Sequence, residues 1–229
     1  MRVDECGADL SGWSGAARPQ RVVLDGFYAR LEPLDPARHA RDLFRAARAE
    51  GAEARHRYLF DAVPADEESF TRWAEGAAAS DDPLVFAVID KATGRAEGRQ
   101  ALMRIDPKHG VVEIGSILWG PAIARTRVAT EALHLAAAHV FDTLGYRRFE
   151  WKCDDRNVPS KKAAARFGFT FEGVFRCHMV VKGENRDTAW FSIVRPEWPK
   201  LSAAFTAWLD PSNFDAAGRQ VRRLAEFRS

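Results

Sequence analysis

The sequence predicts an α/β fold, a mixed and mostly antiparallel sheet of about seven strands flanked by helices. Three observations carry this. Apolar runs at 84–90, 98–106 and 111–119 are divided by the turn segments Lys91-Ala92-Thr93-Gly94 and Pro107-Lys108-His109-Gly110, and such short spacers imply an antiparallel meander. The longest helical pattern, 127–144, has few polar positions (Thr130, Glu131, His134, His139, Asp142) and is expected to lie buried against a sheet. Strand patterns at 111–119 and 147–153 flank it, the order of a right-handed crossover.

The other elements are marked in chain order. Residues 1–20 are polar and Gly-rich and read as a draped arm. A first strand spans 22–34, with a bend at Gly26. Pro36 opens a helix over 37–50 and Gly51 stands past its end. In the next helix, 66–79, Phe70, Trp73, Ala74 and Ala77 share one face, and Asp66, Glu67 and Glu68 suit its positive end. Gly145 closes the long helix. A short helix at 158–167 opens on Asn157-Val158-Pro159-Ser160 and stops at Gly168. A hairpin, 169–181 and 186–194, turns at Lys182-Gly183-Glu184-Asn185. A last helix at 199–209 carries Leu201, Phe205 and Trp208, and 213–227 adds one more. The simplest division is an arm (1–20), one α/β domain (21–196) and a C-terminal helical extension (197–229).

With 229 residues, 46% hydrophobic and 29% charged, the chain has an ordinary globular composition. A net charge of +2 argues against a dedicated polyanion binder, so nucleic acid is not an expected partner. The window 125–166 nevertheless holds nine basic and five acidic residues, either a solvated face or a phosphate-binding corner. Three cysteines (Cys6, Cys153, Cys177) form no disulfide framework and fit a reducing cytoplasm. No Cys/His cluster suggests a metal. No apolar run nears the roughly 20 residues of a membrane helix, and no hydrophobic signal region opens the chain.

The richest stretch is 145–188. It sets Asn157, Ser160, Lys161 and Lys162 at a helix N-terminus beside a strand end, a corner suited to an anionic or thiol-bearing ligand. Local sequences sharpen this. Glu113-Ile114-Gly115-Ser116, Thr130-Glu131-Ala132, the run from Asn157 and Ser160 through Ala164, Phe167-Gly168-Phe169 and Glu172-Gly173, and Arg186-Asp187-Thr188 stand in an order and spacing that resembles the GNAT superfamily of acyl-CoA N-acyltransferases, in its ribosomal-protein N-acetyltransferase branch. The resemblance covers roughly 22–194. It implies a fold whose fourth and fifth strands, here 111–119 and 147–153, splay apart. It also implies acetyl-CoA as co-substrate and an amine acceptor, either a protein N-terminus or a small molecule.

The resemblance assigns roles residue by residue. Backbone groups of Ile117, Leu118 and Trp119 face the pantetheine and thioester. Ser160 stabilises the departing thiolate, as a hydroxyl at a helix N-terminus can. Asn157 bonds the pantetheine amide or caps the helix. Glu113 is the candidate general base, acting through water, or else one half of a buried ion pair. The family's pyrophosphate loop usually reads Gln/Arg-x-x-Gly-x-Gly/Ala, whereas here Ala124-Arg125-Thr126-Arg127-Val128-Ala129 puts Arg127 where a Gly stands. Arg125, Thr126, Arg127, Val128, Ala129 and Thr130 are still expected to form a nest of N–H groups, helped by two guanidinium groups and by Lys161. The altered loop also admits a second reading, a non-catalytic or degenerate CoA-binding module. His134 and His139 are read as structural. Cys153 lies near the proposed thiol. Trp73, Trp151, Trp190, Phe175 and Tyr58 line an acceptor pocket or the core, and the aromatic-rich C-terminus is compatible with a homodimer.

Overall fold

The computed structural model describes residues 9–228. Eight strands form one sheet: β1 (Leu24–Asp25), β2 (Ala29–Pro33), β3 (Leu84–Asp90), β4 (Arg95–Asp106), β5 (Val111–Trp119), β6 (Arg148–Asp154), β7 (Thr170–Val181) and β8 (Glu184–Val194), in the order β1-β2-β3-β4-β5-β6-β8-β7. Every pairing is antiparallel except β5 with β6. That parallel pair is joined by the long helix, as the strand–helix–strand order required.

The sheet has one strand more than expected because the first strand breaks at Gly26. The buried carboxylate of Glu131 accepts the N–H groups of Phe27 (2.9 Å), Tyr28 (2.6 Å) and Ala29 (2.6 Å), bonds a continuous ladder would otherwise supply. A Cβ on Gly26 would stand 2.6 Å from that carboxyl group, so only glycine fits the approach.

The helices are α1 (Pro36–Arg48), α2 (Ala52–His56), α3 (Glu67–Ala79), α4 (Arg127–Ala138), α5 (Val158–Phe167) and α6 (Trp198–Leu209). Their starts are chemically marked. Asp35 accepts from Ala37 N before Pro36, Asp66 from Ser69 N, Thr126 from Val128 N and Asn157 from Ser160 N. The pattern at 127–144 ends differently from expectation. It is α-helical to Ala138 and widens into a π-helical turn over His139–Thr143, with Leu144 N bonded to His139 O at 3.0 Å.

Two cores sandwich the sheet. In β3, Leu84, Phe86 and Val88 point to the core shared with α4 and α6, while Val85, Ala87 and Ile89 point to the core shared with α1 and α3. This period of two, with both faces apolar, marks a central strand. Because Trp198, Leu201, Phe205 and Trp208 sit in the same core as α4, the C-terminal helix is integral to the body. The further helix expected at 213–227 is not formed. Short 3₁₀ turns at Pro211–Asn213 and Leu224–Phe227 and a bridge between Phe214 and Gln220 replace it. Residues 9–20 run without helix or strand, and Trp13 Nε1 donates to Lys108 O at 2.7 Å. Cys6 lies outside the described residues.

Candidate active site

β5 and β6 pair only at Val111 with Arg148, Val112 with Phe149 and Glu113 with Glu150. Beyond that point β5 stays on β4 and β6 stays on β8, and the two diverge. Backbone groups of β5 facing away from β4 therefore lose their strand partner, and a cleft of about 500 Å³ opens between the strands. That size suits a small-molecule site.

A bulge shapes the β5 wall. The register passes from Arg99 opposite Leu118 to Ala101 opposite Gly115, so β5 carries an extra residue there. Ser116 takes a left-handed φ of 51°, a conformation that costs about 1 kcal/mol for a non-glycine residue. Buried Arg99 holds it. Arg99 Nη1 donates to Ser116 O at 3.1 Å and to Ser116 Oγ, and Nη2 pairs with Asp61. The Trp73 ring lies 4.5 Å from the Arg99 guanidinium. One arginine thus ties the bulge to the segment after α2.

On the β6 wall stand Trp151, Cys153 and, across from them, Asn157 and Ser160 of α5. Ser160 Oγ accepts from Trp151 Nε1 at 2.9 Å, which leaves its proton free to donate. Asn157 Oδ1 is taken by Ser160 N at 3.1 Å, so the capping role is realised and its Nδ2 remains for a ligand. Burial raises the Cys153 thiol above its ordinary value, partly countered by the Ser160 hydroxyl, so the thiol is a poor nucleophile.

Glu113, 3% exposed, accepts through Oε2 from Arg104 (2.7 Å) and Lys152 (2.9 Å). Lys152 also pairs with Glu150 at 2.7 Å and lies 3.9 Å from the centre of the Trp190 ring. Arg148 links Glu150 to Glu172, extending the alternating charges across the sheet. Glu113 faces the cleft, and it is part of a buried ion-pair network.

A roof covers the end formed by the α2 segment. Tyr58 Oη donates to Arg156 O at 3.3 Å, Lys182 Nζ donates to His56 O at 2.8 Å, and Asp61 is held by Arg99.

Among the expected site residues, Glu113, Ile117, Leu118, Trp119, Arg125, Asn157 and Ser160 share the cleft wall. The phosphate loop is only partly as expected. Arg125 is exposed, lines the cleft and has a φ of 65°. Thr126 Oγ1 caps Val128 N, Ala129 is buried, and Thr130 Oγ1 donates to Thr126 O while accepting from Arg166. Arg127 turns away, its guanidinium 4.3 Å from the Tyr28 ring centre and 5.3 Å from that of Phe214, so only its backbone remains for phosphate. Lys161 bonds Asp155 at 2.9 Å and is not in the cleft wall. Of the aromatic candidates, Tyr58 and Trp151 line the cleft; Trp73 backs Arg99, and Phe175 and Trp190 pack on each other on the hairpin, tilted by 37° with ring centres 4.5 Å apart. His134 stacks on Phe205 and is pushed down to about 4 by burial. Among the described residues no group of three or more His, Cys, Asp or Glu is arranged to hold a metal, and no helix is long and apolar enough to cross a membrane.

Sequence reading gave no site role to Asp61, Arg104, Lys152 or Arg186, which line the cleft, nor to Arg99, which stands behind its wall; Arg186 was singled out only as a motif residue. A single charge carries no sign in the sequence of which distant segment will cover it, and the segment after α2 brings Asp61 to Arg99.

The comparisons agree with this geometry. Residues 29–170 match the acetyltransferase (GNAT) domain model. A GCN5-related N-acetyltransferase from Brucella melitensis is 57% identical, with 94% of this chain and 98% of that chain covered and a TM-score of 0.93. A ribosomal-protein-serine acetyltransferase structure from Vibrio cholerae, at 19% identity, shares the fold with a TM-score of 0.65 over 76% of this chain and 97% of that one. An N-acetyltransferase named p20 from Bacillus licheniformis is 31% identical over 117 residues, which are 49% of this chain and only 63% of the length of p20. With the strands parted below Glu113 and the matched domain enclosing that gap, the chain belongs to the GNAT acetyltransferase family.

Proposed function

We propose that the protein transfers an acetyl group from acetyl-CoA to a primary amine in a single direct step. One observation carries this reading: the parting of β5 from β6 just beyond Glu113 and Glu150, with a hydroxyl donor and a helix N-terminus at the opening. The residues present fit the co-substrate. Ile117, Leu118 and Trp119 offer strand backbone to an extended pantetheine arm, and Arg125 with the first turn of α4 offers positive charge to the diphosphate. Acetyl-CoA supplies an activated thioester, and the chain's own residues supply the remaining chemistry.

The backbone beyond the Ser116 bulge holds the thioester oxygen as charge develops on it. Ser160, its oxygen already bonded by Trp151, directs its proton to the departing sulfur. Glu113 receives the amine proton on Oε1 through water, since Oε2 is held by two cations. Its help is modest for an α-amine, whose pKa near 7.7–8.0 leaves roughly a tenth neutral at pH 7. A reducing cytoplasm suits the buried free thiol of Cys153.

Calorimetry with CoA, together with thiol release from acetyl-CoA across a panel of amines, peptide N-termini and polyamines, tests the assignment. Binding with amine-dependent release is expected. Binding without release to any amine would leave a CoA-binding module instead.

A further inference from the structure

We infer that the acceptor is a small amine carrying a carboxylate, and that Arg186 binds that carboxylate. This deepens the acetyl-transfer reading and depends on it. Arg186 lies on β8, is 7% exposed and contributes to the cleft wall. Its Nε donates to Thr188 Oγ1 at 3.2 Å, and its guanidinium carbon lies 5.3 Å from the centre of the Phe60 ring. Among the described residues its two terminal nitrogens donate to nothing and no carboxylate pairs with it. Asp154, the nearest candidate by electrostatics, is held by Arg156 through Oδ2 at 2.9 Å and Oδ1 at 3.1 Å.

The other cleft cations differ. Arg104 is matched by Glu113, and Lys152 by Glu113 and Glu150. Arg55 donates to backbone oxygens at the end of α1, including those of Glu50 and Ala49. Arg125 stands exposed beside α4. An arginine this buried, its open fork reaching solvent only through the cleft, is poorly compensated until an anion arrives, and a planar carboxylate matches that fork with two parallel bonds.

The diphosphate of the co-substrate is not that anion. The charged groups that act most strongly on Arg186 are Asp154, Cys153, Glu113 and Arg104, none of which belongs to the loop before α4. Glu113 near this cation completes a complement for a zwitterion, with Oε1 toward the amine and Arg186 toward the carboxylate. The roof at Tyr58, His56 and Asp61, pinned to Arg156, Lys182 and Arg99, suits a small molecule over a protein terminus. No new covalent step is involved: the amine nitrogen forms the amide bond, the thioester C–S bond breaks, and the amine proton leaves through Glu113 while the carboxylate stays unreacted.

The test measures thiol release from acetyl-CoA with the L-amino acids, β-alanine and γ-aminobutyrate, each against its own carboxamide, for the wild-type chain, Arg186→Met and Arg186→Lys. For at least one pair the acid is expected to exceed its amide by roughly twentyfold in kcat/KM. Arg186→Met brings that ratio to about one, mainly through KM, and Arg186→Lys restores part of it. Calorimetry with CoA, expected to agree within about twofold among the three chains, shows that the fold and co-substrate site survive. Equal use of acids and amides, or a preference that persists in Arg186→Met, overturns the inference. So does silence across these pairs while peptide N-termini or polyamines are acetylated, an outcome that leaves acetyl transfer standing. No release with any amine fells both readings, and is distinguished by that breadth.

Discussion

Arg99 Nη1 donates to the main-chain oxygen of Ser116 at 3.1 Å, and the same guanidinium pairs with Asp61. A buried side chain on β4 therefore joins the strained bulge of β5 to the roof of the cleft. The two ends of that pair differ in exposure: the Arg99 side chain is 2% exposed and that of Asp61 36%.

This asymmetry sets the first expectation. Asp61→Ala leaves a buried cation without its counter-charge and is expected to destabilise the chain by roughly 3 kcal/mol. Arg99→Met leaves a carboxylate that can reach water and is expected to cost less, about 1–2 kcal/mol. Urea unfolding of the two variants decides it; equal costs would mean that the pair does not hold the roof.

Ser160→Ala is expected to lower kcat by roughly 10- to 100-fold with little change in the KM for acetyl-CoA, because the hydroxyl acts on the departing sulfur. Trp151→Phe removes only the bond that orients it, and a smaller loss of about 3- to 10-fold is expected. Steady-state kinetics on both checks the order; an unaffected kcat in Ser160→Ala removes the serine from the chemistry.

Arg125 and Arg127 stand two residues apart and face opposite ways. Arg125→Ala is expected to weaken CoA binding by roughly fivefold at low salt, with a shallower salt dependence. Arg127→Ala is expected to leave CoA affinity within about twofold and to lower stability by about 1 kcal/mol through the lost contacts with Tyr28 and Phe214. Calorimetry paired with thermal unfolding separates the two, and a large affinity loss in Arg127→Ala would return that side chain to the phosphate site.

His134 is half-buried between α4 and α6, stacked on Phe205, with its Nε2 buried and without a hydrogen bond. Burial holds it down to about 4 against an ordinary value of 6.5, with Asp142 pulling weakly the other way. The unfolded chain then binds a proton that the folded chain refuses between those values, so stability falls as pH drops from about 6.5 to about 4. The full effect is about 3 kcal/mol. His134→Leu is expected to flatten this part of the acid limb in urea midpoints measured against pH. The buried His139 and His56, also lowered by burial, keep the rest of it.

By itself the sequence determined the sheet, the order of its elements and the family. Those rest on local chemistry: the apolar run 84–90, the acidic helix start at Asp66, the helix opening at Asn157, and the motif residues at Glu113 and Ser160 are all visible within a few neighbours. Glu131 was legible as a motif residue, but its work, closing the break at Gly26, needed a contact more than a hundred residues away in the chain. Arg127 and Lys161 were read as phosphate ligands because charge near a helix N-terminus has no direction in a sequence; packing against Tyr28 and the pull of Asp155 gave them one. The charged residues of the cleft wall, Lys152 and Arg186, and Arg99 behind it were placed only by tertiary structure. A lone cation in a strand is solvated or buried according to which distant segment covers it, and here the short helix α2 and the segment after it supply the cover.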